Sequence, residues 1–129
     1  MSEHGPRLGG VGIGVSDLAV ATAFYETVFG LSTLVPKLEL ETMDEAILTA
    51  EGSHVVLILM CHTDGVDRDL TETGGKIVFN VPDPAATIAL AVEHGGTLMR
   101  EPEPNDMMGG KHIGFVTDPD GQVIELIEY

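Results

Sequence analysis

Two patterns of apolar and polar residues alternate along this chain, and each predicts one type of element. In two segments the apolar residues recur at i, i+3, i+4 and i+7, the spacing of one helix face. The positions are Ala21, Phe24, Tyr25 and Val28 in the first segment, and Ala85, Ile88, Ala89 and Val92 in the second. Short apolar runs bounded by Gly, Pro and Asp predict strands in the remainder. These runs are Leu8–Val15, Leu31–Leu38, Glu45–Ala50, His54–Cys61, Lys76–Val81, Thr97–Glu101, His112–Thr117 and Gln122–Glu128.

An internal repeat fixes how these elements are grouped. The segment from Val15 to Gly30 is echoed 66 residues later by the segment from Val81 to Gly96, and both run from a strand through Asp and a helix to Gly. Asp17 and Asp83 are placed to cap the helices. We therefore predict an α+β fold of two βαβββ modules, at about residues 8–62 and 75–129 of a single domain that covers 1–129. Their curved mixed sheets would form a half-open barrel with the helices outside.

Composition and charge exclude several partners. Six Lys and Arg against 21 Asp and Glu give a net charge of −15, which argues against nucleic acids and anionic membranes. No apolar run approaches the roughly 18 residues of a membrane span, and the segment 1–7 lacks a basic stretch followed by an apolar run. With one cysteine, Cys61, the chain cannot form an intrachain disulfide, so we expect a cytoplasmic protein.

The first strand has an unusual inner face. Gly10, Gly12 and Gly14 alternate with apolar residues, so one face of the strand carries no side chains. Glycine weakens a strand and marks a close approach to the backbone. Either a ligand or a packed strand or subunit would fill this space.

The other strands place polar chemistry on the same inner face. The inner positions are Lys76, Val78 and Asn80 in the fifth strand, His112, Gly114 and Val116 in the seventh, and Val123, Glu125 and Ile127 in the last. This assignment turns Ile113 and Phe115 towards a helix. Lys76, His112 and Glu125 are then the candidate catalytic residues.

Three segments resemble the vicinal oxygen chelate superfamily, the group of glyoxalases, bleomycin resistance proteins and ring-cleaving dioxygenases. They are Val15-Ser16-Asp17-Leu18 with Phe24-Tyr25 and Phe29-Gly30-Leu31, Asp83 with His94-Gly95-Gly96, and Asp118-Pro119-Asp120-Gly121-Gln122-Val123-Ile124-Glu125-Leu126. The last is especially similar to glyoxalase I. The resemblance implies paired βαβββ modules, a homodimer, and a divalent metal held by four inward side chains.

The four metal positions that the resemblance implies fall at Gly10, Ile58 (or Val56), Lys76 and Glu125. Only Glu125 can be a ligand, because Gly and Ile have no donor atom and a lysine ammonium has no lone pair. We therefore expect no cofactor, with a divalent metal on His112 and Glu125 as the alternative. Lys76 and Glu125 would form an inward ion pair, which either fills the vacated metal volume or binds a substrate oxygen and moves a proton.

A set of apolar and small residues is expected to bind the ligand. The set is Gly10, Gly12, Ile58, Met60, Asn80, Met107 and Met108. For Met60 the favoured alternative is ordinary core, and Met107-Met108-Gly109-Gly110 resembles a mobile apolar lid.

Three functions remain open. The first is a lyase or isomerase that acts on a small carbonyl compound with Glu125, His112 and Lys76. The second is a non-catalytic protein that sequesters a small molecule such as an antibiotic. The third is glyoxalase chemistry with a metal bound by an unforeseen set of residues.

Overall fold

The computed structural model describes residues 5–129, so residues 1–4 of the N-terminal segment considered above lie outside it. The elements follow the order βαβββ twice, which confirms the predicted fold class. The first module comprises β1 (Gly10–Gly14), α1 (Leu18–Phe29), β2 (Ser32–Glu39), β3 (Met43–Thr49) and β4 (Val56–His62). The second comprises β5 (Lys76–Val81), α2 (Pro84–Glu93), β6 (Thr97–Asn105), a short 3₁₀ helix (Asp106–Met108), β7 (Lys111–Thr117) and β8 (Val123–Glu128).

Each module forms one mixed sheet of four strands. The strand orders are β1-β4-β3-β2 and β5-β8-β7-β6, and in each sheet the first pair is parallel and the other two pairs are antiparallel. The sheets are curved but not closed into barrels. Each helix packs on its own sheet, and the two helices also contact each other. Each sheet therefore has a face covered by a helix and an open face.

The helix ends follow from their capping residues. The Asp17 side chain accepts a hydrogen bond from the Val20 backbone N–H at 3.0 Å, and Asp83 does the same for Ala86 at 3.2 Å. Gly30 ends α1 with φ at 67°, a conformation that costs glycine little. Both predicted N-caps are thus present.

The buried faces of the two helices differ in how well the spacing predicted them. All four predicted positions of α1 are buried. In α2 the prediction is wrong apart from Ile88, because Pro84 and Ala91 are buried while Val92 is 47% exposed. Alanines occur on several sides of this helix, so two different faces satisfy the apolar spacing. Both of these faces include Ile88.

Strand β6 is longer than predicted. It continues to Asn105, through Pro102 and Pro104, where the sequence predicted a loop from Pro102. In the sheet β6 is an edge strand paired only with β7. An edge strand tolerates proline because one row of its N–H groups needs no partner in the sheet.

A buried polar contact ties the two modules together. The hydroxyl of Tyr25 in α1 donates a hydrogen bond of 2.8 Å to Asp118 Oδ2, in the turn between β7 and β8. Asp118 Oδ1 accepts from the backbone N–H groups of Asp120 and Gln122 at 2.9 and 3.0 Å. Burial raises the pKa of the Asp118 carboxyl, while the hydrogen bond from Tyr25 opposes that rise. The apolar part of this junction includes the stacked rings of Phe29 and Phe79, whose centroids are 3.9 Å apart.

Within residues 5–129 neither helix has the length and apolar character that crossing a membrane requires. The longer one, α1, has 12 residues.

Candidate functional site

The open face of the second sheet carries an ion pair. Ile77, Phe79 and Val81 of β5 turn towards the helices, as do Ile124 and Leu126 of β8. The intervening residues face the other way, so the parity predicted for these two strands is confirmed. Lys76 and Glu125 come together there, with Lys76 Nζ 2.5 Å from Glu125 Oε1.

The two partners of this pair differ in burial. The Glu125 side chain is 12% exposed and the Lys76 side chain is 52% exposed. Oε1 of Glu125 accepts from Lys76, and no group in the described part of the chain donates to Oε2. The arrangement thus offers a sheltered carboxylate with one uncommitted oxygen beside a reachable ammonium.

His112 lies apart from this pair. Gly114 and Val116 of β7 face α2, since Val116 is fully buried and a Cβ on Gly114 would lie 3.0 Å from Ile88 Cδ1. The parity predicted for β7 is therefore wrong. His112 shares the helix-facing parity, and its backbone N–H and ring Nδ1 contact Glu128 Oε1 at 2.8 and 3.1 Å. These contacts lower the pKa of the Glu128 carboxyl, the backbone hydrogen bond most of all.

Phe115 lies on the open face, where we had predicted its neighbours Gly114 and Val116. It pairs with Glu125 across β7 and β8 and with Arg100 across β6 and β7. The centre of its ring is 6.0 Å from Lys76 Nζ and 5.6 Å from Arg100 Cζ. Each face of β7 combines apolar and polar residues, so the sequence offered no signal for choosing the correct face. Phe115 and Arg100 were therefore missed.

The space beside the β1 glycines is occupied by the chain itself. A Cβ on Gly12 would lie 3.0 Å from Met60 Sδ, and one on Gly14 would lie 2.8 Å from Leu70 Cδ2. At Gly10 the neighbours are Val56 at 2.8 Å and Ile58 at 3.6 Å. Of the two explanations of the glycines, the structure supports close packing of side chains from β4 and the 63–75 loop.

A cleft of about 700 Å³ runs between the facing edges of the two sheets. Residues 11–14 of β1 form one wall and residues 76–80 of β5 form the other, so Gly12 and Asn80 both line it. Among the described residues that line the cleft, Lys76 alone is charged. Met107 and Met108 do not line it and are exposed, Met107 by 95%, in the 3₁₀ helix between β6 and β7.

The side chains at the four implied metal positions do not fit a metal ion. Gly10 and Ile58 lie on the open face of the first sheet and offer no donor atom, while the Lys76 ammonium is bonded to Glu125. Nowhere in residues 5–129 do three His, Cys, Asp or Glu side chains come together in a way that could hold a metal.

The chain is similar to known proteins over nearly its whole length. Residues 7–126 match the model of the glyoxalase/bleomycin resistance protein/dioxygenase superfamily. A probable lactoylglutathione lyase of Vibrio cholerae is 35% identical, over 99% of this chain and 93% of that protein. Glyoxalase I of Zea mays has a TM-score of 0.76 at 28% identity, but 95% of this chain corresponds to only 44% of that one. The trypanothione-dependent glyoxalase I of Leishmania major has a TM-score of 0.74 at 28% identity, over 96% of this chain and 87% of that chain.

These similarities correct the prediction that the protein has no cofactor. Lactoylglutathione lyases and glyoxalase I enzymes are typically metal-dependent, so the relatives contradict an expectation drawn from four positions alone. The relatives support chemistry of the lyase type.

Proposed function

The chain belongs to the glyoxalase/bleomycin resistance protein/dioxygenase superfamily, and from this we propose that it is a glyoxalase-like enzyme that moves a proton on a small carbonyl compound. The reaction would be of the lyase or isomerase type. One observation supports the proposal above all: the sheltered Glu125 carboxylate lies beside the Lys76 ammonium, and Lys76 lines the cleft.

In this proposal the two side chains have different roles. Glu125 Oε2 takes a proton from the carbon next to a substrate carbonyl, and the electrons of the broken C–H bond form the C=C bond of an enolate. Lys76 donates a hydrogen bond to the oxygen on which the negative charge develops. Glu125 then delivers the proton to the enolate oxygen, which gives the enol and completes an isomerisation in which every atom is retained. His112 has no part in this scheme, because it contacts Glu128 and shares the helix-facing parity.

Proton exchange measures the proposed step directly. Phenylpyruvate and S-lactoylglutathione in D₂O would be followed by NMR for loss of the C–H signal next to the carbonyl, with the metal content of the purified protein measured alongside. Glu125→Gln should slow exchange by about a hundredfold or more, the usual contribution of a general base. Glu128→Gln is the matched control on the same strand and should exchange normally. Absence of exchange with the native protein, or equal rates in Glu125→Gln, would refute the enzymatic proposal.

The ion pair could instead only fill space, and its stability effects separate the two roles. Glu125→Gln alone strands a lysine charge, whereas adding Lys76→Met removes both charges, so we expect the second change to recover part of the lost stability. Because Lys76 is half exposed, the coupling should be about 1 kcal/mol, near the upper end for surface pairs. A stable double variant that has lost exchange would support the catalytic role, and one that retains exchange would contradict it.

The cleft also favours a second candidate, a non-catalytic protein that binds a small molecule. Its volume of about 700 Å³ falls in the usual range for such sites. The net charge of −15 would by itself favour a cationic drug. The charged residue that lines the cleft, however, is Lys76, and its positive charge disfavours a cationic ligand there. Tight binding without exchange would support this candidate.

We further propose that the 129 residues act as one domain within a cytoplasmic homodimer. The open faces carry partly buried apolar residues that a second copy could cover. They are Ile47, Ile58 and Met60 in the first sheet and Ile113, Phe115 and Ile127 in the second. Each sheet also ends in two edge strands, β1 and β2 in the first and β5 and β6 in the second. The outer side of each of these strands has no strand partner within the described chain.

A further inference from the structure

The polar side chains in the cleft lining are mostly committed to the protein itself. Four of them donate their side-chain hydrogens to nearby backbone carbonyls. They are Thr49 at 3.3 Å, Ser53 at 3.0 Å, Thr73 at 3.4 Å and Gln122 at 3.2 Å, the last to two carbonyls. Because a donor engaged in this way is lost to a ligand, the cleft offers far fewer hydrogen bonds than its residue types suggest.

Two side chains keep donors for a ligand. The Lys76 ammonium has three N–H groups and gives one to Glu125. Asn80, four residues along the same strand, donates its amide to no side chain or backbone group in the described chain. The rest of the lining is apolar side chain or backbone, including Val11, Ile13, Leu57 and Phe79.

The charge balance limits the ligand as well. Lys76 is already neutralised by Glu125, and the chain as a whole carries −15, so a ligand with several negative charges would be repelled. A molecule rich in hydroxyl or amide groups would lose its hydrogen bonds to water without replacing them. An apolar body with one oxygen-bearing end meets neither penalty.

We propose that the cleft selects an apolar alkyl or aryl compound with a single carbonyl or carboxylate end, whose oxygen binds Lys76. Glutathione conjugates and other polar, multiply charged molecules are disfavoured. This inference rests on the proposed function in taking Lys76 as the group that binds the reacting oxygen. It adds the class of substrate, which the relatives' names do not specify for this chain.

Calorimetry with two unreactive probes tests this selectivity. 4-Phenylbutyrate has an apolar body and one carboxylate, and S-methylglutathione is polar and multiply charged. We expect 4-phenylbutyrate to bind at least tenfold more tightly. Its amide should depend less on Lys76, because a neutral carbonyl oxygen accepts a weaker hydrogen bond from an ammonium than a carboxylate does. Equal affinities, tighter binding of S-methylglutathione, or no binding of 4-phenylbutyrate at millimolar concentration would overturn the proposal.

Two matched substitutions locate the binding. Val11→Phe places a larger side chain in the β1 wall and should abolish binding of 4-phenylbutyrate, whereas Val20→Phe, at a position of similar exposure on α1, should leave it unchanged. Lys76→Met should weaken the binding of 4-phenylbutyrate by about tenfold, the scale of a lost charge-assisted hydrogen bond, and should weaken the binding of the amide by less. Unchanged binding in Val11→Phe would place the ligand elsewhere and refute the inference.

The outcome is separable from that of the proposed reaction. If Val11→Phe and Lys76→Met weaken the binding of 4-phenylbutyrate but Glu125→Gln exchanges protons normally, the selectivity stands and the catalytic role fails. If Glu125→Gln abolishes exchange while S-methylglutathione binds best, the catalytic role stands and the selectivity fails.

Discussion

Removing the Tyr25 hydroxyl should weaken the junction between the modules by a predictable amount. Tyr25 is fully buried, and its hydroxyl is the hydrogen-bond donor to Asp118 Oδ2 in the described structure. Tyr25→Phe leaves the ring packing intact but leaves that buried oxygen without its donor. Hydrogen bonds to charged groups contribute about 1.5 to 3 kcal/mol, so we expect a loss of about 2 kcal/mol. For a chain of 129 residues this corresponds to a fall in Tm of about 7 °C.

The loss should also depend on pH. Burial raises the pKa of Asp118 in the folded state, and the bond from Tyr25 lowers it, so the variant should have the higher pKa of the two. As the pH falls, the folded variant takes up a proton before the folded native protein does, and proton uptake by the folded state stabilises it. The difference in unfolding free energy should therefore shrink as the pH falls through the pKa of Asp118.

Chemical denaturation at pH 7 and at pH 4 measures both effects. Tyr129→Phe is the matched control, because Tyr129 is 71% exposed and its loss should cost less than about 0.5 kcal/mol. A loss in Tyr25→Phe no larger than the control, or one that grows as the pH falls, would refute the reasoning.

Three further predictions concern other parts of the molecule. Gly96→Ala should lower the free energy of unfolding by more than about 2 kcal/mol, because the new Cβ would lie 2.6 Å from a backbone carbonyl oxygen. Gly14→Ala should lower it by less than about 1 kcal/mol, because the new Cβ meets the movable tip of Leu70 at 2.8 Å. Thermal melts that show equal losses would contradict this. His112→Ala should raise the pKa of Glu128 part of the way to its ordinary value, because the backbone hydrogen bond remains when the ring contact is lost, and an NMR titration without any rise would disprove the contact. Light scattering at tens of micromolar protein should give the mass of a dimer. A monomer mass would contradict the proposal that a second copy of the chain covers the open faces of the sheets.

Sequence reasoning located part of the site and not the rest for physical reasons. In β5 and β8 the side of Ile77 and Ile124 is mostly apolar and Lys76 and Glu125 fall on the other side, so the pairing of Lys76 with Glu125 could be foreseen. In β7 both faces combine apolar and polar residues, and the correct choice between them depends on the fit of Gly114 against α2, which is a tertiary contact. His112 was therefore placed beside the pair and Phe115 away from it, the reverse of what the structure shows.

The fold was more predictable than the contents of its cleft. Capping aspartates, glycine stops and a repeat of 66 residues are local signals, and they predicted both modules. The filling of the glycine face was not a local signal, since Leu70 reaches Gly14 from a loop without regular structure. Whether that space holds a ligand or a side chain depends on where this loop runs.

The duplicated strands that border the cleft are chemically unequal. The offset of the repeat aligns Gly10, Gly12 and Gly14 with Lys76, Val78 and Asn80, so the β1 wall offers no side-chain donor whereas the β5 wall carries Lys76 and Asn80. A ligand lying between them would therefore form its side-chain hydrogen bonds with the β5 wall alone. It should bind in one orientation, with its oxygen-bearing end towards Lys76 and Asn80.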